Sequence, residues 1–150
     1  MAHDAEIPVD PDVIENGPSG NLSIGNIGLV MLGGTLGSLA RGWIAEALTS
    51  QGADIATVIV NVSGAFFLGF VISFLAASNK HSSTRWKLLL GTGAAGGFTT
   101  YSTFAFTFVD YILDGQLWYL LVFGLGTVLV GGAACYLGIA LGTRVGKGTT

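Results

Sequence analysis

The stretch Gly96-Gly97-Phe98-Thr99-Thr100-Tyr101-Ser102-Thr103-Phe104 lies inside an apolar run, Leu88 to Val109, that carries no charge. Paired glycines followed by four hydroxyl residues among three aromatics make a poor continuous membrane helix. Two readings fit. In one the helix breaks, because non-helical backbone at membrane depth is tolerated where protein or a cavity satisfies it. The freed carbonyls are then ready ligands for a hard cation, as in the broken helices that coordinate Na⁺. In the other the helix continues and its Ser and Thr side chains bond back to their own carbonyls. The residues alone leave both open.

Three further runs surround this one: Ile24 to about Leu48, interrupted by Arg41 and Glu46, then Ile55 to Asn79 and Gly115 to Thr143, both uncharged. Each exceeds the roughly 20 apolar residues that a membrane-spanning helix needs. Trp43, Trp86, Trp118 and Tyr119 stand near run ends, where amphipathic rings prefer the headgroup level. A soluble four-helix protein would carry a charged stripe on each helix. The expectation is an all-α membrane protein of four transmembrane helices, residues 24–150, with a break near the middle of the third as one of its open readings.

Composition agrees. Of 150 residues 10% are charged and 51% apolar, against a usual charged share of about 25%. Glycine supplies 24 residues, as suits membrane helices. The net charge of −3 and the lack of a basic patch give no footprint for nucleic acid. The lone Cys135 allows no intrachain disulfide and no zinc pattern, and reads as a small packing residue. Residues 1–23 form an acidic tail (Asp4, Glu6, Asp10, Asp12, Glu15) holding all three prolines. This tail reads as disordered and not as a signal peptide.

Four crossings put the tail, the Lys80–Lys87 loop and the C-terminus on one side. That side holds Lys80, Arg85, Lys87, Arg144 and Lys147, and the opposite loops hold no Lys or Arg. The positive-inside rule then places both termini in the cytoplasm of a multi-pass plasma-membrane protein.

Gly91-Thr-Gly93-Ala-Ala-Gly96 matches a dinucleotide-binding fingerprint literally, but that fingerprint needs a strand before it and a soluble helix after it. Asn61 places an amide in hydrocarbon. Its N–H groups suit an anion without trapping it, and they suit an interhelical hydrogen bond as well. Arg41 is the one basic residue within a run, free to snorkel or to line an anion-attracting vestibule. Gly33, Gly34, Gly37 and Ser38, and Gly124, Gly131, Gly132, Ala133 and Ala134, read as packing surfaces. No span centre carries Asp or Glu, so the usual proton-relay residue of a coupled transporter is absent.

Together these residues resemble the small fluoride channels of the CrcB (Fluc) family, over about 33–142. The resemblance rests on Gly33-Gly34-Thr-Leu-Gly37-Ser-Leu-Ala-Arg41, on Val60-Asn61-Val-Ser-Gly64-Ala-Phe66-Phe-Leu-Gly69, and on Gly96-Gly-Phe-Thr99-Thr-Tyr101-Ser-Thr-Phe104. It implies a third helix broken near its middle and an antiparallel dimer with two fluoride pores and a structural Na⁺ at its interface, held by backbone carbonyls at the break, at the matching Gly96 and Thr99. It implies pore roles for Asn61 as amide donor, for Tyr101 and Phe104 as an aromatic pair, and for Ser102 and Thr103 as a hydroxyl track. Thr127 matches a fourth-helix polar residue loosely. The family usually has Phe where Tyr101 stands. Aromatic edges are partially positive, so the ring edge survives this change. The second subunit is either an identical chain or a related chain of opposite orientation.

The implied activity is passive export. Hydrogen fluoride enters cells as a neutral acid and dissociates there. A negative-inside potential then drives the anion out, at about 2.3 kcal/mol per charge per 100 mV. Two rivals are a small proton-coupled multidrug exporter, which needs an intramembrane carboxylate where only Glu46 is near a span, and a non-transporting membrane interaction subunit. No nucleophile–base pair, metal cluster or catalytic carboxylate pair points to an enzyme.

Overall fold

The computed structural model describes residues 23–78 and 83–148. The acidic tail up to residue 22 and residues 79–82 of the basic loop lie outside the described residues. Within them the chain is helical. α1, Ile24–Ala47, starts at Ser23, whose hydroxyl accepts the Gly25 N–H at 3.3 Å. A 3₁₀ turn, Thr49–Gln51, leads to Gly52, whose φ of +103° is glycine's territory. The chain reverses there into α2, Ala53–Ala77.

α3 occupies 83–98: helical turns Ser83–Trp86 and Gly96–Phe98 flank a wider π segment, Lys87–Ala95. Residues 99–101 are not helical, and α4 runs Ser102–Leu113. Gly115, with φ +69°, turns the chain into α5, Leu117–Lys147. α1, α2 and α5, at 24, 25 and 31 residues, are each long and apolar enough to span a membrane. The third run is shared by α3 and α4, neither of which reaches the roughly 20 residues a span needs by itself. α5 extends past the expected end at Thr143 to Lys147, placing Arg144 and Lys147 in its last turn, where the helix dipole favours cations.

Two parallel helix pairs build the core, each through glycine. A Cβ on Gly93 would sit 2.8 Å from the Val30 carbonyl oxygen, and one on Gly37 would sit 2.8 Å from the Phe98 nitrogen, so α1 and α3 run side by side in one direction with backbones touching. A Cβ on Gly138, Gly142 or Gly146 would meet the backbone at Phe66–Phe70, at Phe70–Phe74 and at Phe74 in turn, so α2 and α5 are also parallel. Of the small residues expected to pack in the fourth run, Gly124 does, against the Phe108 ring, but Gly131 and Gly132 have open space where a Cβ would be. The contact face of α5 lies further along, at spacing four from Gly138.

Among the described residues the buried apolar set is only Ala56, Val60, Val71, Ala95 and Phe123. Large apolar side chains such as Met31, Trp43, Leu129 and Leu137 are more than half exposed. An exposed apolar surface of this extent marks contact with lipid or another chain.

Candidate functional site

The non-helical residues 99–101 lie between α3 and α4, where α2 bonds to Thr100 and α1 bonds to Gly97 just before them. The Asn61 side chain on α2 forms a two-way clasp with Thr100. Its Nδ2 donates to the Thr100 carbonyl at 2.9 Å, and its Oδ1 accepts the Thr100 N–H at 2.8 Å. That backbone donor fixes which end of the amide is oxygen. From α1, Ser38 Oγ and Arg41 Nε both donate to the Gly97 carbonyl, at 3.2 and 3.3 Å.

These bonds redirect the donors that a continuous helix would have used. The Thr100 N–H would serve the Gly96 carbonyl, and the Thr103 N–H would serve that of Thr99. Instead Thr100 N–H goes to Asn61, and Thr103 N–H goes to Thr100 Oγ1 at 3.2 Å. Gly96 and Thr99 are therefore the two carbonyls whose helical partners are diverted by side chains that the fold supplies. Thr99 also keeps its hydroxyl on its own helix, donating to the Ala95 carbonyl at 3.0 Å. Gly96 is exposed, and with Thr99 it lines an open groove of about 430 Å³ shared with Leu68, Ile72 and Thr92. Among the described residues no group of His, Cys, Asp and Glu could hold a metal. A cation here would meet carbonyl oxygen, the chemistry that suits Na⁺.

The other expected site residues take separate places. Arg41 is half-buried and lines a cavity of about 210 Å³ with Thr57, Thr100 and Thr103. Its Nε is held on the Gly97 carbonyl. Ser102 and Thr103 open α4, each within hydrogen-bond distance of the Thr100 hydroxyl, at 3.2 and 3.0 Å. Phe104 stacks at 5.1 Å on Phe123 of α5 and tilts at 4.9 Å against Phe108. Tyr101 is 82% exposed and shares no ring contact with Phe104, so one chain does not bring the expected aromatic pair together. Thr127 is buried, and its hydroxyl donates to the Phe123 carbonyl at 2.6 Å. Its one proton is spent, which leaves it an acceptor and not an anion donor.

Thr100 has a role that the sequence alone does not give it. Its hydroxyl caps α4 and its backbone receives Asn61, making it the hub of the site. Threonine is a favoured capping residue, but the stretch holds three of them and a serine, so residue type alone does not single this one out. The Tyr111 phenol, donating to Asp54 at 3.0 Å, also went unread. It ties the end of α4 to the start of α2.

The sequence profile of the family described as CrcB-like protein, Camphor Resistance (CrcB), matches residues 28–139. A protein of Oceanobacillus iheyensis named fluoride-specific ion channel FluC is 34% identical over 77% of this chain and 90% of its own. A protein of the same name from Chlorobium luteolum is 41% identical over 74% of this chain and 87% of its own. One from Leifsonia xyli subsp. xyli, named fluoride-specific ion channel FluC 2, is 38% identical over 79% and 83%.

Proposed function

Because this chain belongs to the CrcB family, we propose that it forms a fluoride-selective channel through which cytoplasmic fluoride leaves the cell passively, down the membrane potential. It is an integral membrane protein and not an enzyme: its relatives carry the name of an ion channel, and three of its helices are long and apolar enough to span a bilayer.

The observation that carries the site reading is the clasp of Asn61 on Thr100, with the diverted donors beside it. It supports a backbone site for Na⁺ at the Gly96 and Thr99 carbonyls. Two oxygens from one chain underfill a Na⁺ shell, and a second subunit facing the first doubles the set. The Gly96 and Thr99 carbonyls would hold such an ion, whose charge would offset their dipoles where two subunits meet. The exposed Tyr101 favours the same assembly, since its ring reaches a neighbour more readily than it reaches Phe104. The pore is then lined by Asn61, with one amide N–H still to offer, by the Ser102 and Thr103 hydroxyls and by the edges of Tyr101 and Phe104, with Arg41 raising the local anion concentration at its mouth. Arg85, Lys87, Arg144 and Lys147 lie at the end of the molecule where α3 begins and α5 stops, which favours a cytoplasmic position for both termini.

The exporter reading loses support. Glu46 is exposed in the last turn of α1, and Asp54 at the first turn of α2 is engaged by Tyr111. Neither sits at mid-span. The deciding experiment is purified protein in liposomes with fluoride and chloride efflux read by electrode. Fluoride flux with chloride excluded is expected. Chloride flux comparable to fluoride overturns the channel assignment, and the absence of any flux favours a non-transporting subunit.

A further inference from the structure

Three hydroxyls meet at the start of α4, and their protons cannot all be placed independently. A hydroxyl has one proton to donate and two lone pairs to accept with. Thr100 Oγ1 already accepts the Thr103 N–H at 3.2 Å. One lone pair and one proton remain for its two neighbours, Ser102 Oγ at 3.2 Å and Thr103 Oγ1 at 3.0 Å. Thr100 is buried, at 8% exposure, and these two hydroxyls are the side-chain partners within its reach. If both neighbours are to be bonded, Thr100 donates to one and accepts from the other.

That leaves two arrangements. In the first, Thr103 donates to Thr100 and Thr100 donates to Ser102, which frees the Ser102 proton. In the second, Ser102 donates to Thr100 and Thr100 donates to Thr103, which frees the Thr103 proton. Rotation about three C–O bonds interconverts them, and no O–H bond breaks. Thr103 borders the Arg41 cavity, whereas Ser102 is exposed and does not line it.

We propose that Thr100 is a positioning residue for anion transfer, its buried hydroxyl acting as a two-position switch that lends a free proton to Thr103 or to Ser102 but not to both. An anion held at Thr103 turns the ring one way, and its passage to Ser102 turns it back. One strong donor is then always presented and never two, so the ion is not trapped between a pair. The inference rests on the channel reading and adds to it a residue that touches the track and not the ion.

The test combines flux and amide exchange. Fluoride efflux is measured for the wild type, Thr100→Val, Thr100→Ser, and Ser102→Ala and Thr103→Ala singly and together, in wild-type and Thr100→Val backgrounds. Thr100→Val is expected to slow flux by about tenfold, the scale of one neutral hydrogen bond, and Thr100→Ser to rescue it. The Ser102 and Thr103 effects should be non-multiplicative in the wild type and multiplicative once the hub is gone. Exchange at the Thr103 amide should be faster in Thr100→Val and return with Thr100→Ser, whether or not the protein conducts. Wild-type flux in Thr100→Val, or multiplicative effects in the wild type, overturns the proposal. If Thr100→Val fails to assemble, the coupling measured in the wild-type background decides alone. A wild type that passes no fluoride refutes the channel reading instead, and unchanged Thr103 exchange in Thr100→Val then refutes the hub on its own.

Discussion

Replacing Asn61 with Leu removes both hydrogen bonds of the clasp while keeping the side chain's size. The Thr100 N–H is left in one of two conditions. If residues 99–101 stay open, a buried donor loses its partner at about 1–3 kcal/mol, and the lost bond to the Thr100 carbonyl adds about 1 kcal/mol. A destabilisation of about 2–4 kcal/mol follows. Alternatively the Thr100 N–H returns to the Gly96 carbonyl, α3 grows toward α4, and much of that loss is recovered. The second outcome closes the Gly96 oxygen and swings Tyr101, Ser102 and Thr103 around the helix axis. Either way fluoride efflux should fall at least tenfold. Thermal unfolding in detergent distinguishes the two, since only the first lowers the midpoint strongly. Asn61→Asp, which still accepts the Thr100 N–H but sets an oxygen against the Thr100 carbonyl, should lie between Leu and wild type in stability. Wild-type flux together with a wild-type midpoint in Asn61→Leu would refute the clasp.

Tyr101→Phe should conduct within about twofold of wild type, because the phenol oxygen has no partner among the described residues and the ring edge is retained; inactivity with an intact fold, read by the same efflux assay, would make the phenol a ligand. Gly142→Leu should prevent assembly, since its Cβ would press into the α2 backbone 3.0 Å from the Phe74 nitrogen, whereas Gly132→Leu should leave the α2–α5 pair folded; gel filtration and circular dichroism in detergent compare them. Cysteine at the exposed position 84, in a Cys135→Ser background, should label only from the cytoplasmic side. Labelling of about half the molecules from outside would mean dual insertion, and the related partner chain of opposite orientation would give way to an identical one.

The sequence made the four apolar runs legible because lipid demands long uncharged stretches, and no tertiary contact overrides that demand. It located the unusual third run from its glycines and hydroxyls, but it left Asn61 divided between an anion and a helix neighbour. The partner of an amide depends on which helix face stands opposite, and that is a matter of packing. The face of α5 was legible only at Gly124, for the same reason. Gly131 and Gly132 look like a close-packing pair, yet the helix is rotated so that Gly138, Gly142 and Gly146 meet α2. The matching periods, glycines at 138, 142 and 146 and phenylalanines at 66, 70 and 74, were present to be paired. Thr100 escaped notice because a threonine among threonines offers no local sign of which hydroxyl caps and which merely bonds to its own turn.

The opening at residues 99–101 is held by another helix, and that bears on how the chain enters the bilayer. Before α2 docks, the third run can satisfy its whole backbone from within, Thr100 N–H against the Gly96 carbonyl, and so cross lipid as an unbroken rod. When Asn61 arrives it offers that same N–H a new acceptor and the Thr100 carbonyl a new donor. At Thr100 the exchange replaces each helical bond with one to the Asn61 amide, so the residue at the centre of the break keeps both of its backbone groups paired. On the channel reading, insertion of the third run and opening of its backbone are then separate stages, the second waiting on the meeting of Asn61 and Thr100.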